Sequence, residues 1–230
     1  MTGASVNRLG KTESLWPFGD IEPGSFDLVL ADPPWRFRTW SETNQKKSAS
    51  RHYSLMMAAD ILALPVRELA AKDCALVLWA TQAMIPQALD VMKAWGFGFK
   101  SMGAWAKLSK TGRRYAFGTG YIYRSAAEFY ILGTIGKPKV AARNVRNLIV
   151  EPVRSHSQKP DRMHYDLEQL FPNARKIELF GRQNRKGWTV WGDQSDKFDL
   201  KKRNQDGAQK ISKRSDSAQL GGAGAGDIPA

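Results

Sequence analysis

Two apolar runs, FDLVLA (26–31) and CALVLWA (74–80), constrain this chain more than any other feature. Each has the length of a strand and no polar alternation, so both of its faces must be covered. Gly24 and Pro33 bracket the first run. The second is followed by AMIPQALDVMKAW (83–95), where Ile85, Leu89, Met92 and Trp95 fall at helical spacing and Gly96 supplies the stop. Between the runs, MAADILALPVRELA reads as helix interrupted at Pro65, where a fresh helix starts. Strand and helix in alternation predict an α/β domain with a central, mostly parallel sheet flanked by helices.

The remaining elements extend that pattern. GFKSMGAWAKL and AEFYILGTIG are strand candidates on either side of the glycine-rich linker TGRRYAFGTGYIYRS. LIVEPV is a short strand candidate, and Pro160 to Leu170 reads as a helix that buries Met163, Leu167 and Leu170. KIELFG (176–181) and WTVWG (188–192) complete the set. Residues 1–13 are expected to form a loose arm, 14–195 one domain, and 196–230 a disordered tail of Lys, Gln, Ser and Asp ending in GGAGAG. No apolar stretch reaches the length of a membrane span, and no signal-peptide core is visible, so a cytoplasmic location is expected. Cys74, the single cysteine, lies inside an apolar run and reads as buried filler. His156 and His164 are too few and too separated for a metal site, so no metal is expected and surface or capping roles suit them.

The formal net charge is +13, and the tail does not explain it, because residues 1–195 hold +11. Residues 36–52 contribute +4, residues 100–124 contribute +6 with no acid, and residues 137–162 contribute +5. The rest of the body is therefore negative and the positive charge is clustered, as a polyanion partner requires. A merely solvated basic surface is the plainer alternative.

Chemistry enters with Asp32-Pro33-Pro34-Trp35, directly after the first apolar run. Ligands of α/β sheets bind at the carboxyl ends of strands. An exocyclic amine on an aromatic ring is a poor nucleophile, because its lone pair is delocalised. A carboxylate and a backbone carbonyl that each accept one N–H draw that nitrogen towards tetrahedral geometry. Consecutive prolines fix the carbonyl of Pro33, and Trp35 offers a face for a flipped-out base. The competing possibility is a simple turn with a Trp docked in the core.

Together with YSLMMAADILALPV, LVLWATQAMIPQALDVMKAWGF, the W-x-K of Trp105 to Lys107, EFYILGTIGKP, EPVRSHSQKPDRM, KIELFGR and GWTVWGDQ, this tetrapeptide makes the chain resemble the MT-A70 family of adenine N6-methyltransferases from about Phe26 to Gln194. The resemblance implies a Rossmann-like fold with permuted motif order, S-adenosylmethionine as cofactor and nucleic acid as substrate. It implies that Asp32, Pro33, Pro34 and Trp35 handle the target amine. Asp32, Lys159, Glu178, Leu179, Phe180, Arg182, Asn184, Asp193 and Gln194 match cofactor-binding positions. The family's acidic residue some eighteen positions before the DPPW aspartate is here Ser14, and Asp193 stands where Asn is more usual, so those two roles stay unassigned.

Arg36, Arg38, Lys46, Lys47, Arg51, Lys107, Arg113, Arg114 and His156 are the residues expected to meet nucleic acid. DNA is favoured as the substrate, with RNA as the alternative. A catalytically inactive nucleic-acid-binding scaffold is the third possibility, against which the intact tetrapeptide, Lys159 and Glu178 argue. Monomer and homodimer stay open.

Overall fold

Phe26–Ala31 forms strand β1 and Ala70–Ala80 forms β2, side by side and parallel. Around them lie β3 (Gly98–Leu108), β4 (Ala127–Ile135), β5 (Leu148–Pro152), β6 (Lys176–Leu179) and β7 (Trp188–Trp191). The helices are α1 (Ala58–Ala63), α2 (Val66–Leu69), α3 (Ile85–Ala94, after a 3-10 turn) and α4 (Arg162–Leu170). This computed structural model describes residues 16–35, 56–155, 157–193 and 195. The arm, the tail, the basic segment 36–55, His156 and Gln194 lie outside them.

Among the described residues the sheet order is β5-β3-β4-β2-β1-β6-β7. Every pairing is parallel except the two made by β4, so six strands share one direction and β4 opposes them. The molecule thus has the α/β fold that the strand–helix alternation predicts, in the Rossmann-like form that the resemblance implies. Why β1 and β2 read as unbroken apolar runs is now plain. Val29, Ala31, Leu76 and Leu78 point into one core with α1, α2 and α3, while Leu28, Leu30, Val77 and Trp79 point into a second core with α4. Central strands covered on both faces cannot alternate polar and apolar residues. Cys74 lies in the first core, and burial pushes its thiol up to about 12, leaving it a packing group. No helix among the described residues is long and apolar enough to cross a membrane.

Three local expectations need correction. The buried stripe of α3 is Ala88, Val91 and Met92, continued by Trp95, whereas Leu89 is 38% exposed. Ala88 takes the position against the sheet, and the Trp95 indole N–H donates to the Ile61 carbonyl at 3.0 Å, which fixes the rotation of the helix end. The helix expected after Pro65 lasts one turn, because Ala70 is already paired with Phe26 of β1. Strand β6 stops at Leu179 and not at Gly181, because Phe180 has φ 62° and leaves the ladder.

Candidate active site

The reversal of β4 sets its start beside the ends of its neighbours, so residues of five strands line up at one end of the sheet. In spatial order these are Lys107 near the end of β3, Glu128 near the start of β4, Trp79 near the end of β2 and Asp32 just after β1, followed by Glu178 on β6. Lys159, from the loop before α4, reaches over them. Its ammonium lies 2.8 Å from Asp32 Oδ1, 2.9 Å from Asp32 Oδ2 and 3.0 Å from Glu128 Oε1. Glu128 Oε2 in turn meets Lys107 at 2.7 Å. Both lysines sit over indoles, Lys159 at 5.4 Å from the Trp79 ring and Lys107 at 5.0 Å from Trp105. The result is one row of alternating charge: Asp32, Lys159, Glu128, Lys107.

The row has a definite protonation pattern. Burial opposes the charge on Lys159, but Asp32 and Glu128 outweigh it, so the ammonium holds its proton more tightly than a free lysine. Burial also pushes Glu128 up, yet Lys159 and Lys107 pull it down to about 2. Asp32 responds differently. Burial lifts its carboxyl above the ordinary range, and the single ammonium it shares with Glu128 offsets this only in part. Asp32 is therefore the most basic carboxylate of the pair, at the position where a reacting group would approach.

Glu128 was not singled out by the sequence reading, although a signal existed: it is the only acid between Lys100 and Ile135. Its depressed titration makes a prediction. Stability contributed by a carboxylate with a lowered folded-state value is present above the unfolded value and lost as pH falls through the folded one. Glu128→Gln should cost on the order of 3 kcal/mol at neutral pH. That deficit should shrink as pH drops from 4.5 towards 2. Urea melts of both proteins at pH 7 and pH 3 check this, and a deficit independent of pH would remove Glu128 from the row.

A cleft adjoins Asp32 and encloses about 500 Å³, open solvent included. Asp32, Lys159, His164, Glu178, Phe180 and Arg182 line it. Among the described residues the two non-glycines with positive φ are Ser157 (55°) and Phe180 (62°), and they flank the cleft. Arg182 donates to the Ser157 carbonyl, so the two strained turns are tied together. Gly181 is required between Phe180 and Arg182, because a Cβ there would come 2.5 Å from Val190 Cγ1 and 3.3 Å from the Glu178 carboxyl carbon. The donor set suits a zwitterion carrying a diol: Lys159 and Arg182 for a carboxylate, Asp32 for an ammonium and Glu178 for vicinal hydroxyls.

His164 is a second residue that sequence reasoning missed. It is partly buried, with neither the surface nor the capping role expected of it. Its Nε2 lies 2.8 Å from Glu178 Oε2 and its ring meets Trp188 edge-on at 5.1 Å, while Nδ1 is buried without a partner in the structure. A lone histidine on an amphipathic helix leaves no pattern in sequence. Beside it, Arg185 grips Glu168 through two bonds of 2.7 and 3.0 Å, bracing the loop after β6.

The other expected site residues divide sharply. Pro33 and Pro34 hold the chain as intended, with the Pro33 carbonyl accepting the Trp35 N–H at 2.8 Å and keeping a second lone pair. Trp35 is buried. It is 5% exposed, belongs to the core shared with α1 to α3, and donates its indole N–H to the Trp79 carbonyl at 3.0 Å. In this arrangement it braces the turn that follows β1. Leu179 is likewise core, and only its carbonyl reaches the site, accepting the Asp32 N–H at 3.3 Å. Asn184 and Asp193 are exposed and do not line the cleft. Lys107 is committed to Glu128, whereas Arg113 and Arg114 stand exposed beyond β3. Among the described residues, no three His, Cys, Asp or Glu side chains come together as metal ligands.

Comparison with known proteins gives a consistent set. The family model described as MT-A70 matches residues 26–194. The type II methyltransferase M.MunI of a Mycoplasma species is 29% identical over 76% of this chain and 80% of its own length. An N(6)-adenosine-methyltransferase MT-A70-like protein of Drosophila melanogaster is 32% identical over 75% of this chain but only 27% of its own length. The human N(6)-adenine-specific methyltransferase METTL4 is 28% identical, with 76% of this chain and 38% of METTL4 covered.

Proposed function

The chain belongs to the MT-A70 family, and from that premise we propose that it transfers a methyl group from S-adenosylmethionine to the N6 amine of adenine in DNA. The observation that carries this reading is the Asp32 carboxylate at the end of β1, clasped by Lys159 and opening onto the cleft. Lys159 and Arg182 would bind the cofactor's carboxylate, Asp32 its ammonium and Glu178 its ribose hydroxyls. The cofactor supplies the electrophilic methyl on its sulfonium. Asp32, raised by burial, accepts one N–H of the adenine amine, and the Pro33 carbonyl accepts the other. These two acceptors localise the nitrogen lone pair and aim it, so the rate gain comes from positioning and fixed charge, and the methylated nitrogen would release its surplus proton past Asp32 to solvent. Lys159 keeps Asp32 in place and anionic, and Glu128 with Lys107 keeps Lys159 in place. The target base would be flipped out to reach this edge, because a stacked adenine keeps its amine inside the helix.

DNA is favoured because the fuller correspondence in length is with the type II methyltransferase and not with the adenosine methyltransferase, of which the chain spans about a quarter. Methyl transfer from labelled cofactor to matched single- and double-stranded DNA and RNA, with nucleosides identified by mass spectrometry, tests the proposal. N6-methyladenine in RNA alone would reverse the substrate, and none in any arm would overturn the activity. A narrower test concerns His164. His164→Phe keeps the packing against Trp188 but releases Glu178, and should weaken binding of S-adenosylhomocysteine by about three- to tenfold, the worth of one modest hydrogen bond. Calorimetry showing equal affinity would leave His164 as packing only.

A further inference from the structure

Residues 109–126 leave the sheet at the end of β3 and return at the start of β4. Their base is fixed by backbone bonds: the Lys107 N–H to the Ala126 carbonyl at 2.8 Å, and the Ala116 N–H to the Lys107 carbonyl at 2.7 Å. Higher up, the Gly118 N–H donates to the Ser125 carbonyl at 2.8 Å. Gly120 makes the tip possible, since a Cβ there would lie 1.8 Å from the Tyr123 carbonyl oxygen. The segment is shaped, yet its large side chains join no core. Tyr115, Phe117 and Tyr123 are 67%, 78% and 87% exposed. So much aromatic surface in one segment marks an interaction site.

Charge and position say what covers it. Lys110, Arg113, Arg114 and Arg124 are interleaved with these aromatics, and residues 100–124 contain no acid. The Arg124 guanidinium lies 5.0 Å from the Phe117 ring centroid, forming one cationic and aromatic surface. Cations alone would suit the outside of any duplex. Exposed rings add a preference for bases that are not already stacked on neighbours. Lys107 and Glu128 bracket the segment and connect it through Lys159 to Asp32. The surface therefore begins where the target base must arrive.

We propose that residues 113–124 form a stacking platform for unpaired bases flanking the target adenine, so that the protein takes single-stranded or locally opened nucleic acid. The proposal rests on the adenine-methylation reading above for the identity of the target base. Its test uses the full chain, a fluorescein-labelled single strand and a fully paired duplex of the same sequence, with binding read by anisotropy. The double variant Phe117→Ala, Tyr123→Ala should lose tenfold or more in affinity for the single strand, with little change for the duplex and an unchanged salt slope. The variant Arg113→Gln, Arg114→Gln should instead lower the salt slope by about one to two units. Both should keep wild-type binding of S-adenosylhomocysteine.

An aromatic variant that binds the single strand like wild type overturns the platform. So does equal loss for strand and duplex. Sedimentation showing a wild-type dimer that the aromatic variant breaks, with oligonucleotide affinity intact, would assign the surface to a second copy of the chain. Aromatic-dependent strand binding without any N6-methyladenine would sink the proposed reaction while leaving the platform standing. Normal methylation by an aromatic variant with normal binding would do the reverse.

Discussion

Asp32→Asn should lower methyl transfer by a hundredfold or more while leaving the melting temperature close to wild type. The substitution keeps the shape and one acceptor oxygen, so Lys159 retains a partner in place as well as its contact with Glu128. What disappears is the anionic acceptor aimed at the amine, and removing one such preorganised group costs about 10²–10³ in rate. Stability should hold because burial already disfavours the Asp32 charge. A group whose folded-state value is raised contributes stability below its unfolded value and loses it as pH rises. At neutral pH the ionised side chain is therefore a burden on the fold. The two readouts are single-turnover methylation and thermal melts at pH 7. Near-normal turnover by a folded variant would exclude Asp32 as the acceptor.

Lys159→Met should do damage of another kind. The substitution removes the ammonium that lies over Trp79, and Asp32 and Glu128 lose the cation between them. Breaking a buried pair by removing one partner costs about 3–5 kcal/mol, because the partner charge is left uncompensated. Here two carboxylates are left facing each other, with Lys107 able to answer only Glu128. The loss should be largest at neutral pH and ease as pH falls and those carboxyls protonate. Binding of S-adenosylhomocysteine should fall along with stability, since the same ammonium is assigned to the cofactor carboxylate. Denaturant midpoints at pH 7 and pH 4 and calorimetric titration measure the two effects separately. A variant with wild-type stability and affinity would show that the ammonium does neither job.

The contrast between these variants shows where sequence reasoning stops. Asp32 was legible because its signal is local: a strand run, a carboxylate and two prolines within nine residues. The two-sided burial of β1 and β2 was legible for the same reason, since a short, β-branched apolar run without alternation fits a strand covered on both faces. Lys159 reaches Asp32 across 127 residues, and Glu178 reaches His164 across 14 residues from a different element. No periodicity encodes either meeting, so Lys159 is legible only through family resemblance, and the sequence suggests surface or capping roles for His164 instead of a contact with Glu178. Leu89 and Val91 show a subtler limit. Both fit a helical stripe, and only the Trp95 indole bond to Ile61 and the small Ala88 select which one faces the sheet. Trp35 shows that residue type does not fix placement, because the aromatic three positions after Asp32 packs into the core shared with α1 to α3.

The opposed direction of β4 has a practical corollary. Because β3 and β4 run antiparallel, the excursion between them is the loop of a hairpin built into the sheet, with its strands registered from Gly98 to Ala106. Loops of this kind tolerate insertion and replacement, since little of the core depends on them. The Lys107–Glu128 bridge closes the hairpin just below the loop, and nothing above it belongs to either hydrophobic core. Residues 110–125 can therefore be exchanged as a cassette for the corresponding segment of a relative. Such chimaeras would separate the strand preference proposed for this segment from the row of charges beneath it, in a single polypeptide.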